Sequence, residues 1–402
     1  MIEGSALEGV RVVDLANFLA GPLVSMYLGD FGAEVIKVER PDTGDECRMW
    51  GNAKDGIGLY FKVVNRNKKS VTADLRTPLG VEIVKRLAKD ADIVVENFRP
   101  GTLERWGLGY DALSEINPQL NLIRVSGFGQ TGPYSPRPGF GTLAEAFSGY
   151  AYISGFPDRP PLLPGFGLAD ATTGLCGAFL AVTSLQARER IGRGQVVDLA
   201  IYEPLYTLLG PQVIEYDQLG IVQERNGSRL PFTAPRNTYR TRDGKWVSIS
   251  GSGQRVFERL CLALGRPEIV EDPRFADNRT RVEHAEELDP MLQGAIDGYD
   301  LDELMRVCEE HEAAVAPVYS VADTFEDVQY QARQNVIAVE DDELGTVRFQ
   351  NVVGKFSATP GAIDHAGPRL GEHNVEILVD RLGFARDELE AAGLPLTVGS
   401  TP

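Results

Sequence analysis

The stretch VRVVDLANFLAGPLVSMYLGDFGAEVIKVE, residues 10–39, decides the fold. It opens with a short β-branched run, VRVVDL (10–15), continues with an apolar helical segment over 22–31 and closes with EVIKVE (34–39), which alternates as a second strand. Gly32 stands where the helix must stop. A strand, a crossover helix and a strand in this order predict two parallel neighbours in an α/β sheet.

The alternation of strand and helix patterns continues to about residue 210. Strand-like runs follow at SVTADL (70–75), DIVVEN (92–97) and NLIRVSG (121–127), and PLGVEIVKRLAKDA (78–91) reads as a helix with proline in its first turn. Five strands separated by helices predict a parallel, doubly wound α/β sheet.

A second unit is predicted beyond residue 228. A strand-like run, KWVSISG (245–251), precedes three helical segments and a further strand over 315–320, a mixture that predicts a smaller α+β domain. Before it, residues 127–141 read GFGQTGPYSPRPGFG, which is too rich in glycine and proline for regular structure and predicts a loop close to a ligand.

Composition and charge narrow the possible functions. The 402 residues are 43% hydrophobic and 24% charged, as is typical of a folded globular protein. Their formal net charge of -18 opposes sequence-independent binding to nucleic acid or to an anionic membrane. We expect no membrane-spanning run, and the start MIEGSALEGV lacks the basic and apolar parts of a secretory signal. Four scattered cysteines without a CxxC pair fit a reducing compartment, so we expect a cytoplasmic protein.

Positive charge is concentrated in one segment despite this balance. KVVNRNKKSVTADLR (62–76) holds five basic side chains, and Arg99, Arg105 and Arg124 follow. Such a run is either a solvated face or a binding site for a small polyanion, and the residues alone favour neither.

Several chemistries lack the residues that they need. The turn after the first strand reads LANFLAGP (15–22), with one glycine instead of the GxGxxG pattern that lets a backbone approach a pyrophosphate, so Rossmann-type NAD or FAD binding is not expected. The four histidines lie in the last third of the chain without a paired spacing that suggests metal. No GxSxG elbow of a serine hydrolase is present.

Asp170 is the candidate for covalent chemistry. It follows a glycine-rich turn in GFGLADATTGLCGAFLAV (165–182) and precedes a long apolar helix. In one interpretation it is the N-cap of that helix, which stabilises it by about 1 kcal/mol. In the other, its ionised carboxylate is a nucleophile at the positive end of the helix dipole. A second glycine stretch, SGSGQ (250–254), is either an ordinary turn or a mobile flap over a reactive intermediate.

Five ordered motifs extend over nearly the whole chain: LEGVRVVDLANFLAGPLVSMYLGDFGAEVIKVERP (7–41), NRNKKSVTADLRTPLG (65–80), VENFRPGTLERWGLGYDAL (95–113), GFGLADATTG (165–174) and LGEHN (370–374). Together they resemble the class III CoA-transferases, the CaiB/BaiF family that includes formyl-CoA transferase and carnitine CoA-transferase.

The resemblance implies a fold and a partner. It implies a Rossmann-like large domain built from both ends of the chain, a smaller middle domain and two subunits interlocked as a homodimer. The large domain would then take residues 1–210 and 326–402, with a linker over 211–227 and the small domain over 228–325.

The resemblance also implies an enzyme, an acyl-CoA:carboxylate CoA-transferase. Such an enzyme moves CoA from a donor acyl-CoA to a free carboxylic acid through anhydride and aspartyl-CoA thioester intermediates. Coenzyme A is then a substrate, and no tightly bound cofactor or metal is implied.

The family's site residues carry over by motif, with Asp170 as the nucleophile. The residues expected to bind coenzyme A are Leu19, Ala20, Arg40, Ala73, Asp74, Leu75, Arg76, Asn97, Phe98, Arg99 and Arg105. The expected substrate and flap residues are Gly141, Glu145, Gly251, Ser252, Gly253 and Gln254.

Three departures bear on the substrate. Leu19 replaces a glutamine of formyl-CoA transferase, the flap is not a run of glycines, and Gly141 stands where some relatives place an acid, so that Glu145 is the acid available one turn later. The oxalate and formate substrates are therefore not carried over. Racemases of the same family need a histidine before the nucleophile, and residues 122–169 contain none. A racemase, or a non-catalytic acyl-CoA-binding protein, is the alternative.

Overall fold

The structure is a computed structural model that describes residues 4–396. Its strands are β1 (Arg11–Asp14), β2 (Glu34–Glu39), β3 (Ala53–Lys54), β4 (Ile57–Gly58), β5 (Lys68–Thr72), β6 (Ile93–Glu96), β7 (Asn121–Ser126), β8 (Val196–Ala200), β9 (Arg236–Arg240), β10 (Trp246–Ser250), β11 (Val315–Pro317), β12 (Val336–Asp341) and β13 (Gly345–Gln350). Its α-helices are α1 (Ala20–Asp30), α2 (Leu59–Val64), α3 (Pro78–Lys89), α4 (Thr102–Arg105), α5 (Tyr110–Ile116), α6 (Gly141–Phe147), α7 (Tyr150–Ile153), α8 (Leu168–Ile191), α9 (Tyr202–Thr207), α10 (Gln212–Leu219), α11 (Gln254–Ala263), α12 (Glu268–Glu271), α13 (Asn278–Glu283), α14 (Ala285–Ile296), α15 (Leu301–Glu310), α16 (Val321–Glu326), α17 (Val328–Ala332) and α18 (Arg386–Ala391). Short 3₁₀ turns cover Glu46–Met49 and Pro273–Phe275, and a π-helical segment covers Val375–Arg381.

Six parallel strands form the main sheet, in the order β5-β2-β1-β6-β7-β8. Counted along the chain, this is the order 3-2-1-4-5-6 of a Rossmann sheet, whose strand order reverses between the first and fourth strands. The predicted parallel, doubly wound sheet is confirmed. The sequence patterns missed the sixth strand, β8.

Alternating side chains of the central strands fill two cores. Val12 packs on the face that α1 and α8 cover, and its neighbour Val13 packs on the opposite face with Ile83 and Leu87 of α3. Both faces of the sheet are therefore buried, as a parallel sheet requires.

Helix α8 packs closely against α1 at two glycines. A Cβ added to Gly174 would stand 2.5 Å from Cβ of Leu23, and one added to Gly177 would stand 2.5 Å from Cγ2 of Val24, so only glycine allows this approach to α1. By length and composition alone, α8 is the one helix among residues 4–396 that could cross a membrane. The sequence predicted no membrane-spanning run, and 33% of the apolar window in this helix is buried within the protein.

The motif LGEHN closes the outer edge of the sheet. The backbone N–H of Ser70 in β5 donates to Nδ1 of His373 at 3.2 Å, and that of Thr72 donates to Oδ1 of Asn374 at 2.8 Å. In return, the N–H of His373 donates to the carbonyl of Ser70 at 2.9 Å, and that of Gly371 donates to its hydroxyl at 3.0 Å. The tail thus supplies the partners that a further strand would supply.

The chain divides into two compact units. The large unit holds the chain up to Tyr150, Leu163–Asp217 and the chain from Ala332 onward, while the small unit holds Ala151–Leu162 and Gln218–Gln331. Within the small unit, β10 pairs antiparallel with β9 and β11, and helices α11 to α15 surround a core of their own.

Candidate active site

A cavity of about 420 Å³ lies at the carboxyl ends of the six parallel strands, within the large unit. The loop after β1 contributes Asn17, Phe18 and Leu19, and the loop after β6 contributes Asn97, Phe98 and Arg99. These two loops flank the point where the strand order reverses, which is where open α/β sheets bind ligands. The other strands add residues at or after their ends: Arg40, Ala73, Asp74, Leu75, Arg76, Ser126, Gly127 and Ile201.

Two asparagines join the loops across the reversal point. The N–H of Asn17 donates to Oδ1 of Asn97 at 2.9 Å, and Nδ2 of Asn97 donates to the carbonyl of Asn17 at 2.6 Å. This reciprocal pair fixes the floor of the cavity without the glycine turn of dinucleotide-binding sheets.

Asp170 also lines the cavity, from the first turn of α8. The N-cap of that helix is Gly167, and no side chain caps it. The interpretation of Asp170 as an N-cap is therefore wrong, because the helix begins at Leu168 and places Asp170 inside its first turn. No hydrogen bond to the Asp170 carboxylate is found within residues 4–396.

The surroundings of Asp170 disfavour its charge. Burial, and to a lesser extent the nearby negative charge of Glu145, together raise the pKa of the Asp170 carboxyl to about 6. Glu145 lies on α6, is 3% exposed and accepts a hydrogen bond from the N–H of Ala169 at 3.3 Å. No positively charged side chain among the described residues is a cause of the shift in the Asp170 pKa.

Gly141 leaves the space that Asp170 occupies. A Cβ built on Gly141 would stand 2.1 Å from Oδ2 of Asp170, and one on Gly167 would stand 3.2 Å from the same atom. The absence of a side chain at both positions lets the carboxylate lie against backbone, and an acidic side chain at position 141 would collide with it.

The expected coenzyme A residues lie together with one exception. Leu19, Ala20, Arg40, Ala73, Asp74, Leu75, Arg76, Asn97, Phe98 and Arg99 all line the cavity. Arg105 does not line it, and its Nη2 donates to the hydroxyl of Thr102 at 2.8 Å.

The basic segment 62–76 has a third role that neither earlier interpretation included. Lys62 pairs with Asp341 and Glu343, Arg66 pairs with Asp30, and Lys68 pairs with Asp14, in each case at 2.6 to 2.9 Å and with the cation buried. These cations are therefore paired inside the large unit and are not available to bind a polyanion. Arg124 likewise lies between Glu96 and Glu104 and is 8% exposed.

Sequence reasoning missed several lining residues. Arg137 and Phe140 come from the loop that was predicted to lie near a ligand, and the RPGF run was the available signal. Nothing in the sequence pattern indicated Ser126. Its buried hydroxyl has no hydrogen-bond partner in the described part of the chain and is therefore available to a ligand.

The flap residues Gly251–Gln254 belong to the small unit and lead from β10 into α11. The guanidinium of the fully buried Arg281 donates to the carbonyl of Ser252 at 3.1 Å and to Oε1 of Gln254 at 2.7 Å. The position of this segment is therefore fixed within its own unit.

Histidine and metal ligands are not part of the cavity as the structure describes it. No histidine lines it, and residues 4–396 hold no group of three or more His, Cys, Asp or Glu side chains that could bind a metal ion.

Comparison with known proteins agrees with this arrangement. The model of CoA-transferase family III matches residues 7–374. Succinyl-CoA--D-citramalate CoA-transferase of Chloroflexus aurantiacus is 47% identical over 95% of this chain and 96% of its own, and the succinyl-CoA--L-malate CoA-transferase beta subunit of the same organism is 41% identical over the same shares. A CaiB/BaiF family protein of Brucella suis, known from its crystal structure, is 36% identical over 94% of this chain and 99% of its own, with a TM-score of 0.83.

The resemblance seen in the five motifs is thereby confirmed. The family match covers residues 7–374. The cavity is lined by residues from four of the five motifs, and the similar proteins of known activity transfer CoA. The chain belongs to CoA-transferase family III and is an enzyme that transfers CoA.

Proposed function

We propose that the enzyme moves CoA from a donor acyl-CoA to a free carboxylic acid through covalent intermediates on Asp170. The observation that carries this proposal is the Asp170 carboxylate itself, which lines a cavity without a hydrogen bond from the described residues. Four arginines line the same cavity: Arg40, Arg76, Arg99 and Arg137. Guanidinium groups suit the phosphates of CoA, and a carboxylate held without donors is a better nucleophile than a hydrogen-bonded one.

The proposed reaction has four balanced steps. The carboxylate oxygen of Asp170 attacks the donor thioester, the C–S bond breaks, and a mixed anhydride and CoA thiolate result. The thiolate then attacks the side-chain carbonyl carbon of Asp170, which forms an aspartyl-CoA thioester and releases the donor acid. The acceptor carboxylate attacks this thioester to give a second anhydride, and the thiolate attacks the acceptor's carbonyl carbon, which yields the new acyl-CoA and restores Asp170. Each step trades one acyl bond for another, so no net proton transfer is needed.

The raised pKa of Asp170 supports this use of the side chain. A carboxylate that burial and a neighbouring acid hold near a pKa of about 6 is more basic than an exposed one, yet it is ionised at neutral pH. The glycine contacts at Gly141 and Gly167 leave one side of the group open to the cavity.

For the substrates, we propose succinyl-CoA as donor and a short hydroxy-dicarboxylic acid as acceptor. The support is the naming of the two Chloroflexus aurantiacus relatives, which share 47% and 41% of their residues with this chain. We further propose a homodimer, supported by the exposed apolar side chains on α8, α9 and α10, which water would otherwise contact: Leu175, Phe179, Val182, Tyr206, Val213, Ile214, Tyr216 and Leu219.

A substrate screen tests the proposal. Purified enzyme is mixed with succinyl-CoA, acetyl-CoA or propionyl-CoA and with malate, citramalate, glutarate or oxalate, and the new acyl-CoA is measured by mass spectrometry. We expect transfer from succinyl-CoA to malate or citramalate. Tight CoA binding without transfer would instead indicate a binding protein, and deuterium uptake at the α-carbon of an acyl-CoA would indicate a racemase.

A further inference from the structure

The loop between β1 and α1 contains a strained residue. Phe18 has a φ of 63°, in the left-handed region that glycine and asparagine favour and that costs an aromatic residue free energy. This loop stands where dinucleotide-binding sheets place their glycine turn. Strain of this kind persists only where the surrounding structure holds it, and such places are often functional.

Two buried charged side chains form hydrogen bonds with the backbone of this loop. The N–H of Phe18 donates to Oδ1 of Asp45 at 2.9 Å, and Oδ2 of the same carboxylate lies 2.8 Å from Nζ of Lys37. Nζ of Lys37 also donates to the carbonyl of Ala16 at 2.7 Å, and both charged side chains are fully buried. The ion pair therefore binds the backbone on each side of Asn17.

The Phe18 ring contacts the residue that precedes Gly141. Its ring meets that of Phe140 edge-on, with the centroids 6.0 Å apart, and both residues line the cavity. Phe140 directly precedes Gly141, the residue against which the Asp170 carboxylate lies. The Phe18 ring makes a second edge contact with Trp50, with the centroids 5.7 Å apart.

Burying an ion pair in a protein core carries a large desolvation free energy. Removing two charges from water often costs more than their attraction returns, and apolar side chains would fill the same space. Here the carboxylate of Asp45 also accepts from the N–H of Cys47 at 2.9 Å, so it fixes two backbone segments at once. The pair thus determines a local conformation that apolar packing cannot determine.

We propose that Asp45 and Lys37 are positioning residues for CoA transfer, which hold Phe18 in its left-handed conformation so that the ring forms the cavity wall beside Asp170. This inference rests on the proposed function, because it assigns the wall to the site where Asp170 reacts. Neither Asp45 nor Lys37 lines the cavity. Both therefore act through the backbone of Phe18 and Ala16, with which they form hydrogen bonds.

A double-mutant cycle tests the inference. Asp45→Asn keeps the size of the side chain and removes its charge, and we expect kcat/KM to fall at least tenfold per folded molecule. In protein that carries Phe18→Gly, the same Asp45→Asn change should lower kcat/KM less than threefold, because glycine needs no support in this conformation and offers no ring to place. Equal losses in the two backgrounds would overturn the inference.

The matched control is Asp30→Asn. Asp30 is also fully buried and also pairs with a cation, Arg66 at 2.6 Å, but at the far end of α1. It should leave kcat/KM per folded molecule unchanged in both backgrounds. Loss of transfer in Asp170→Asn reports on the proposed function separately, so failure of one idea is distinguishable from failure of the other.

A second comparison serves if Asp45→Asn does not fold. Phe18→Asn and Phe18→Leu both remove the ring, but asparagine enters the left-handed region more readily than leucine. We expect the asparagine variant to melt at the higher temperature. An equal or reversed order would show that the conformation of residue 18 carries no strain for Asp45 and Lys37 to hold, and would overturn the inference.

Discussion

The Cα of Gly141 lies against the carboxylate of Asp170 so closely that one added methyl group at Gly141 would stand 2.1 Å from Oδ2. A glycine on α6 therefore limits where the carboxylate of Asp170 on α8 can lie. Among residues 4–396, no hydrogen bond to the Asp170 carboxylate fixes its position.

Gly141→Ala should consequently displace the Asp170 carboxylate and lower kcat at least a hundredfold, because small misplacements of a reacting group have large effects on rate. The affinity for CoA, measured by calorimetry, should change little. Gly165→Ala is the control, since a Cβ there meets no atom within 4 Å. Full activity of Gly141→Ala would show that Asp170 can react from another position.

Asp170→Asn should abolish transfer while stabilising the fold at neutral pH. The folded-state pKa of about 6 lies above 3.8, the usual value for aspartate, so the ionised carboxylate costs stability above pH 6, and this cost disappears as pH falls toward 4. We expect a higher melting temperature for the variant at pH 7.5 and a smaller difference near pH 4.5. Asp111→Asn, in the first turn of α5, is the control.

The covalent step can be observed directly. Wild-type protein mixed with acyl-CoA should accumulate a hydroxylamine-sensitive adduct on the peptide that holds Asp170, and Asp170→Asn should accumulate none. An adduct on Glu145 instead would move the nucleophile to α6.

The pH dependence of kcat/KM should report the ionisation of Asp170. Transfer needs ionised Asp170, so activity should fall as pH decreases through about 6. Glu145→Gln removes the neighbouring negative charge, which should lower the Asp170 pKa and move the acidic limb to lower pH. Glu115→Gln, on the exposed face of α5, should leave the limb in place. An unmoved limb in Glu145→Gln would mean that the limb belongs to another group.

Arg40→Ala should weaken CoA binding about tenfold, and more at low ionic strength, because Arg40 lines the cavity and its charge would meet a phosphate. Arg105→Ala should weaken it less, since Arg105 lies outside the lining. Titration calorimetry at two salt concentrations measures both. Arg306→Ala removes a comparable Arg–Glu surface pair in the small unit and serves as the control. An equal effect of all three would mean that Arg40 acts only through net charge.

Light scattering should give twice the chain mass of 43.9 kDa at micromolar concentration. Phe179→Asp places a charge on the exposed face of α8, where the ring is 68% exposed, and should shift the protein toward monomer. Ile116→Asp, on α5, should not. A wild-type monomer would remove the dimer proposal.

Periodic patterns predicted most of the sheet because its strands and covering helices are each apolar on a fixed period. The edge strand β8 escaped because it is half exposed and contains Asp198, so its alternation is weak. The site was less predictable. Lys68 and its partner Asp14 are 54 residues apart, so nothing local distinguishes a buried lysine from a phosphate ligand. The Asp170 carboxylate can lie against Gly141 only because Gly141 has no side chain, and hydrophobic periodicity carries no information about such a contact.

The tail motif that completes β5 has a consequence for the chain's solubility. An open edge of a parallel sheet can recruit a strand from another molecule, and here Gly371, His373 and Asn374 occupy that place. Proteolysis before the motif would therefore expose a template for aggregation as well as reduce stability. Burial lowers the pKa of His373, so the neutral ring accepts the bond from Ser70, and this acceptor is lost only when the ring protonates at a pH below the usual histidine range. Acid should open this edge of the sheet and promote strand addition between chains.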